Sequence, residues 1–270
     1  MALPLTYLFV PGIRPERFDK ALASGADAVI LDLEDAVSPG DKDNARHEIA
    51  LWMTTRTPAP DRVVVRINDS TTRWFAADLE LISQSGIRLA MLPKAESPAQ
   101  VDAVRAALPP DGHILPLIET ARGVGNADAI AQAGGVQRLA FGTLDYAVDL
   151  DLSGDERGLI YPSACIASAS RCADLAPPIA GVTASVDSEA GLLADLAFAR
   201  AFGFAAKMCI HPKQVATIRD ALRPTAAELE WARRVLAAAA AGQGAIQIDG
   251  KMVDRPVLLK AQTILERTSR

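Results

Sequence analysis

Short apolar runs alternate along this chain with stretches whose apolar residues return every three or four positions. The runs fall at residues 7–10, 28–33, 63–67, 89–92, 114–118, 139–141, 179–182 and 205–210. Runs of strand length separated by helical stretches, roughly twenty to thirty residues apart, are the mark of repeated βα units. Several are apolar throughout, as strands covered on both faces must be. The intervening stretches keep one apolar face, for example Val101, Val104 and Leu108, or Leu192, Leu196 and Ala199. Ser97 followed by Pro98 reads as an N-cap and first helical position.

An open sheet of eight strands would leave two edges to protect, so the pattern predicts a closed parallel (β/α)8 barrel, a TIM barrel, over residues 1–222. Residues 223–270 form a tail: an alanine-rich helix over 226–241, an extended turn region over 243–254, and a last helix from about Pro256 with Val257, Ala261, Ile264 and Leu265 on one face. Such a tail must cover its apolar face against the barrel or a neighbouring subunit.

Composition narrows the picture. The 28 Lys and Arg against 33 Asp and Glu leave a formal charge of -5 with no dominating run of one sign, so nucleic-acid binding is not expected. No apolar stretch approaches the ~20 residues that span a bilayer, and the first residues lack the features of a signal peptide. The expectation is a cytoplasmic protein with no membrane contact. Three cysteines without C-x-x-C spacing read as reduced, small buried hydrophobes.

The chemistry of a (β/α)8 barrel lies at the C-terminal ends of its strands. There the apolar runs are closed by Asp32-Leu33-Glu34-Asp35, Arg66-Ile67-Asn68, Pro93-Lys94, Glu119-Thr120, Asp145 and His211. One such residue is an ordinary loop charge; six strands doing it together point to a site. Charge at a mouth is costly unless paired or bound to an ion. Glu119 and Asp145, on neighbouring strands, therefore suggest a shared cation, and oxygen ligands without clustered His or Cys favour Mg²⁺ over Zn²⁺.

The segments LFVPGIRPERFDKALASGADAVILDLEDAV, VRIN, LPK, LIETARGV, FGTLDYAVDL, KMCIHP and DGKMVDRPVLLKA occur in this order over nearly the whole chain. Together they resemble the HpcH/HpaI aldolase and citrate lyase beta-subunit family, in its branch acting on CoA thioesters. The resemblance implies Glu119 and Asp145 as Mg²⁺ ligands and Arg66 as the cation that stabilises a thioester enolate. It implies that Asp254 enters an adjacent subunit's active site as acid/base, in a homo-oligomer such as a trimer or hexamer. In the LDLEDAV segment some carboxylates would hold metal-bound water and others orient the arginine, with Glu34 and Asp35 behind the metal. Asn68 and Lys94 are candidate substrate contacts, Lys94 anchoring a carboxylate or pairing with a nearby acid. Gly123 offers a backbone N–H to an anionic group. Arg14 and Lys20 are candidates for the CoA phosphates, and His211 for shaping the mouth or touching the pantetheine arm.

The activity so implied is Mg²⁺-dependent cleavage or formation of a 3-hydroxyacyl-CoA such as citramalyl-, malyl-, citryl- or hydroxymethylglutaryl-CoA, giving acetyl-CoA and a keto acid. The alternatives are a citrate lyase beta subunit served by an acyl carrier protein, a class II aldolase on free hydroxy-keto acids, and a non-catalytic acyl-CoA-binding protein. Residues 149–162 are the expected specificity loop.

Overall fold

Eight parallel strands follow one another in chain order: β1 (Thr6–Pro11), β2 (Ala28–Asp32), β3 (Val63–Arg66), β4 (Leu89–Leu92), β5 (His113–Ile118), β6 (Ala140–Phe141), β7 (Ile179–Ala180) and β8 (Ala206–Cys209). Each pairs with the next, and β8 closes on β1. The chain is thus the closed (β/α)8 barrel that its alternating pattern predicts. The computed structural model describes residues 3–240 and 246–266.

The barrel interior is filled by alternate side chains, among them Ile30, Val64, Met91, Leu115, Leu117, Ala140, Ile179 and Met208. The intervening residues face the helices. Strands β6 and β7 keep only two residues each in the ladder, shorter than their apolar runs, and a glycine follows each, Gly142 and Gly181.

The helices are α1 (Phe18–Ala23), α2 (Lys42–Arg56), α3 (Phe75–Gln84), α4 (Pro98–Ala107), α5 (Ala121–Gly125), α6 (Ala127–Ala131), α7 (Thr143–Asp149), α8 (Ile160–Cys172), α9 (Glu189–Ala201) and α10 (Lys213–Leu222). Their starts are chemically marked. Pro98 opens α4, where Ser97 N–H donates to Gln100 Oε1 at 2.9 Å. Thr120 caps α5 by accepting from Gly123 N–H at 3.0 Å, and Ser188 caps α9 through Gly191 N–H at 3.1 Å. The predicted core faces are buried: Val101, Val104 and Leu108 on and just after α4, and Leu192, Leu196 and Ala199 on α9.

The chain divides into two compact units, one spanning Pro4–Ile218 and one from Arg219 onward. The second holds α11 (Ala226–Ala240), an antiparallel hairpin of β9 (Ile246–Ile248) and β10 (Lys251–Val253), and α12 (Arg255–Glu266). The extended turn region expected over 243–254 is this hairpin, turning at Asp249-Gly250 with both residues at positive φ. The expected tail helix reaches residue 241 and the turn region starts at 243; residues 241–245 lie outside the described residues. Within the unit, Ala232 and Val235 of α11 and Ala261 and Ile264 of α12 form a small core of their own.

All three cysteines are free, but the expectation that each is buried is corrected: Cys209 is buried, Cys165 half-buried and Cys172 exposed. Cys172 is the last residue of α8, where a side chain meets solvent. No helix among the described residues is long and apolar enough to cross a membrane.

Candidate active site

Strand register sets the first contact. Asp32 and Arg66 are paired positions at the C-terminal ends of β2 and β3. Arg66 Nε and Nη2 donate to the two oxygens of Asp32 at 2.7 and 2.6 Å, a bidentate fork. The guanidinium also lies 4.7 Å from the ring centroid of Phe9 on β1. Its Nη1 faces Glu34 Oε2 at 2.8 Å and Asp35 Oδ2 at 3.6 Å. Burial works against the charge of Arg66, but Asp32 and then Glu34 and Asp35 outweigh it and hold the guanidinium protonated.

The turn after β2 folds back on its own strand. Asp32 accepts from the N–H groups of Glu34 at 2.9 Å and Ala36 at 3.0 Å, which aims the Glu34 side chain at the barrel mouth. Glu34 Oε1 accepts from Lys94 Nζ at 3.0 Å. Its Oε2 is buried and has no hydrogen bond, because the Arg66 contact is an ion pair without hydrogen-bond geometry. Burial raises the Glu34 carboxyl above the usual range against the pull of Arg66.

Lys94 joins the second half of the site. It follows β4 at φ +45°, a left-handed conformation that costs a non-glycine residue on the order of 1 kcal/mol. In it the Lys94 N–H donates to Glu119 Oε1 at 2.8 Å while the side chain reaches Glu34. Burial lowers its ammonium affinity for a proton, yet Glu34 and then Glu119 and Asp145 outweigh this and hold it charged.

Glu119 follows β5 and is 2 % exposed. Burial first, then the fields of Glu34 and Asp145, push its carboxyl up to about 8. Asp145 stands half-buried in the first turn of α7. Glycine is required between the two acids: a Cβ on Gly142 would lie 2.4 Å from Glu119 Oε2. Asp149, at the other end of α7, accepts from Ala121 N–H at 2.7 Å and so ties the Asp145 helix to the loop that carries Glu119.

The mouth thus collects Asp32, Glu34, Asp35, Glu119 and Asp145 against Arg66 and Lys94. Among the described residues no group of three or more His, Cys, Asp or Glu forms a ready-made metal cage. A two-carboxylate site suits Mg²⁺ nonetheless, since that ion keeps several waters. The fit rests on Glu34 Oε2, which is buried with no hydrogen bond and faces only the Arg66 charge, on Glu119 Oε2 packed against Gly142, and on a hard-oxygen donor set. Glu119 and Asp145 could hold the ion, with Glu34 behind them.

The other predicted residues are placed as follows. Asn68 is buried; its N–H and Nδ2 both donate to Asp78 Oδ2 at 2.7 Å. Arg14 is exposed and paired with Glu16 at 2.7 Å, and Lys20 is exposed on α1. His211 is half-buried, and its Nδ1 accepts from Lys213 N–H at 3.2 Å, closing the turn before α10. Asp254 is exposed, and its Oδ1 accepts from Val257 N–H at 3.2 Å, capping α12. The expectation of an anion-binding N–H at Gly123 is corrected: that group is taken by Thr120, and a Cβ there would lie 2.6 Å from Ala95 O, so Gly123 serves close packing.

Sequence reasoning missed Lys42, Arg46, Asp78, Gly142 and Asp149. Two of them carried a signal. Lys42 opens a helix where the dipole favours acids, and Asp78 lies among the core-facing residues of α3, where a carboxylate must be paired. A cavity of about 370 Å³, lined by Leu144, Leu152, Leu159, Phe198 and Lys207, includes part of the expected specificity loop. It lies outside the strands, since Lys207 alternates with the core residues Ala206 and Met208.

A closed parallel barrel with a cluster of acids around the buried Glu119 and a fixed arginine at its C-terminal mouth defines a TIM-barrel enzyme equipped for a divalent cation. The family model described as HpcH/HpaI aldolase/citrate lyase matches residues 5–212, and one described as a C-C bond lyase of the TIM-barrel fold matches residues 165–270. The chain belongs to the HpcH/HpaI aldolase/citrate lyase family, a family of carbon–carbon lyases. A citrate lyase subunit beta-like protein of Mycobacterium tuberculosis is 40% identical over 97% of this chain and 94% of its own length. A (3S)-malyl-CoA thioesterase of Cereibacter sphaeroides is 33% identical over 96% of this chain and 93% of its own. The structure of CitE from Mycobacterium tuberculosis in complex with magnesium, acetoacetate and coenzyme A superposes with a TM-score of 0.87 at 38% identity, covering 100% of this chain and 99% of that one.

Proposed function

We propose that this chain is a Mg²⁺-dependent lyase that cleaves, or in reverse forms, the carbon–carbon bond of a small 3-hydroxyacyl-CoA such as malyl-, citramalyl-, citryl- or hydroxymethylglutaryl-CoA. The observation that carries the reading is the placement of Glu119, a carboxyl 2 % exposed at the mouth, its Oε1 fixed by the Lys94 N–H and its Oε2 packed against Gly142, with Glu34 and Asp145 as acidic neighbours. Such a cluster gains most from a cation. The magnesium and coenzyme A of the CitE complex support both the ion and the thioester.

In cleavage the substrate's 3-hydroxyl gives its proton to the Asp254 carboxylate of a neighbouring subunit's tail, the bond between C2 and C3 breaks, a keto acid leaves, and the electron pair remains on the thioester as an enolate. Bound Mg²⁺ would supply Lewis-acid polarisation of the departing keto acid, on the order of several kcal/mol. Glu119 and Asp145 would hold it, with Glu34 behind them. Arg66, locked side-on by Asp32, presents its remaining N–H donors to the thioester oxygen, where one fixed donor contributes typically ~3 kcal/mol. Asp254 of a neighbouring subunit's tail delivers the proton that turns the enolate into acetyl-CoA. Lys94 and Asn68 border the acid end of the substrate, and Arg14, Lys20 and His211 its CoA end.

The Cereibacter relative's name favours one further reading. The same ion and arginine would serve attack of water on the thioester carbonyl, releasing free CoA and a hydroxy acid. One experiment separates them. Purified protein with Mg²⁺ is offered a panel of malyl-, citramalyl-, citryl- and hydroxymethylglutaryl-CoA and the matching free acids, and products are followed by mass spectrometry. EDTA-sensitive acetyl-CoA release from a CoA ester is expected. Free CoA without acetyl-CoA would establish the thioesterase, cleavage of free acids the aldolase, and inertness toward every member would overturn the enzymatic reading. Turnover of free CoA esters also shows that no acyl carrier protein is needed.

A further inference from the structure

Helix α2 holds two cations one turn apart, Lys42 and Arg46, on the face turned toward the barrel mouth, and neither touches the acid pair itself. Lys42 is 5 % exposed. Its Nζ donates to Leu33 O and Glu34 O, both at 2.7 Å, and stands 5.1 Å from the ring centroid of Trp74. Burial pulls its proton affinity down, opposed by Asp32, Glu34 and Asp78. A buried ammonium spent on two consecutive carbonyls is a costly way to close a turn, and it needs a reason.

The reason lies on the other side of that turn. The N–H groups of Glu34 and Ala36 point to Asp32 while the carbonyls of Leu33 and Glu34 point to Lys42. The backbone at Glu34 is therefore held from both sides, and its side chain is delivered to Lys94, whose own N–H holds Glu119. Arg46 does the same for the next loop: its Nη1 donates to Asp78 Oδ1 at 2.8 Å, and Asp78 holds Asn68 through Oδ2. We propose that Lys42 is a positioning residue of the active site, setting Glu34 and through it the acid cluster that receives the cation.

This rests on the metal-dependent reading above, and its test does not use turnover. Mn²⁺ binding to the full chain is measured by calorimetry for wild type, Lys42→Met and Ile49→Ala, together with the urea midpoint of each. Ile49 is fully buried on the same helix and carries no polar group, so Ile49→Ala loosens α2 without removing the ammonium. The expected result is at least ten-fold weaker Mn²⁺ binding in Lys42→Met, and less than two-fold in Ile49→Ala despite a comparable fall in midpoint. Equal loss in both variants reduces Lys42 to a structural lysine and overturns the proposal, as does wild-type affinity in Lys42→Met. Should Lys42→Met fail to fold, Lys42→Gln keeps an N–H donor group on a shorter, uncharged side chain; about five-fold weakening supports the proposal and unchanged affinity overturns it. A wild type that takes up no Mn²⁺ overturns the metal reading itself, and this inference with it.

Discussion

The buried acid at Glu119 makes the stability of the metal-free protein depend on pH in a direction opposite to that of most carboxylates. An ordinary glutamate titrates near 4.5, and here the carboxyl is pushed up to about 8. The folded protein therefore holds this proton more tightly than the unfolded chain does. The contribution to stability is fully present below about pH 4.5 and is lost as pH rises to about 8, above which it stays lost. At about 1.4 kcal/mol per pH step, the gap corresponds to about 5 kcal/mol, a third or more of the stability of a typical domain. Glu34 is also raised by its burial and couples to Glu119, so what is followed is the behaviour of the pair. The assay is urea unfolding in EDTA between pH 5 and 9 for wild type and Glu119→Gln, because subtracting the variant removes the titration of groups that do not couple to Glu119. The difference should narrow or change sign by several kcal/mol across this range, against wild type at high pH. Saturating Mg²⁺ should abolish the trend, since the ion favours the ionised form. Uptake of Mg²⁺ should release protons at pH 7 and progressively fewer as pH rises past about 8, read from calorimetry in buffers of different ionisation enthalpy. A difference that stays constant from pH 5 to 9, or proton release that does not fall with pH, would refute the buried-acid account.

Three experiments test the remaining parts of the site. Gly142→Ala places a methyl 2.4 Å from Glu119 Oε2 and must move that carboxylate; at least ten-fold weaker Mg²⁺ binding is expected, with a stability loss of about 1–3 kcal/mol, and unchanged affinity would show that Glu119 is not held where the ion sits. Arg66→Gln leaves Asp32 buried without its fork and should cost about 3–5 kcal/mol together with a hundred-fold or greater fall in turnover. Adding Asp32→Asn should recover much of the stability and none of the turnover, whereas joint recovery would make Arg66 purely structural. Asp254→Asn keeps the cap of α12, because Asn caps as well as Asp, and so should leave the melting temperature and Mg²⁺ affinity unchanged while removing two to four orders of magnitude in rate. Full activity in that variant would reject the tail as the source of the acid.

Most of the barrel was legible because burial on both faces forces apolar runs, and eight of them alternating with amphipathic helices fit few folds besides a closed barrel. β4 begins and ends where its run does, and β1, β2, β3, β5 and β8 differ from theirs by a residue or so at an end. The exceptions are instructive. The runs at 139–141 and 179–182 extend beyond β6 and β7 because hydrophobicity marks burial, and it does not mark where a ladder ends. The hairpin of β9 and β10 was legible as an extended turn region and not as two paired strands, since its strands are too short for alternation to register beside the Asp249-Gly250 turn signal.

The site was legible in its charges and not in its supports. Asp32, Glu34, Arg66, Lys94 and Glu119 each close a strand, so topology alone brings them to one mouth, and the structure joins them by hydrogen bonds and ion pairs. What fixes those charges comes from elsewhere in the chain. Lys42 and Arg46 act from α2, Asp78 from α3 and Asp149 from the end of α7, each through a backbone group or a second side chain that only the folded chain brings near. Gly142 could not be read as essential because its role is the absence of an atom, and that becomes visible only when the Glu119 carboxylate is seen filling the space. A site of this kind announces its reacting groups through strand ends, while the geometry that makes them react depends on contacts with no fixed spacing in sequence. Substitutions at these supports are therefore the sharper test of the proposed chemistry, since they alter where Glu34, Asn68 and Glu119 stand without altering what they are.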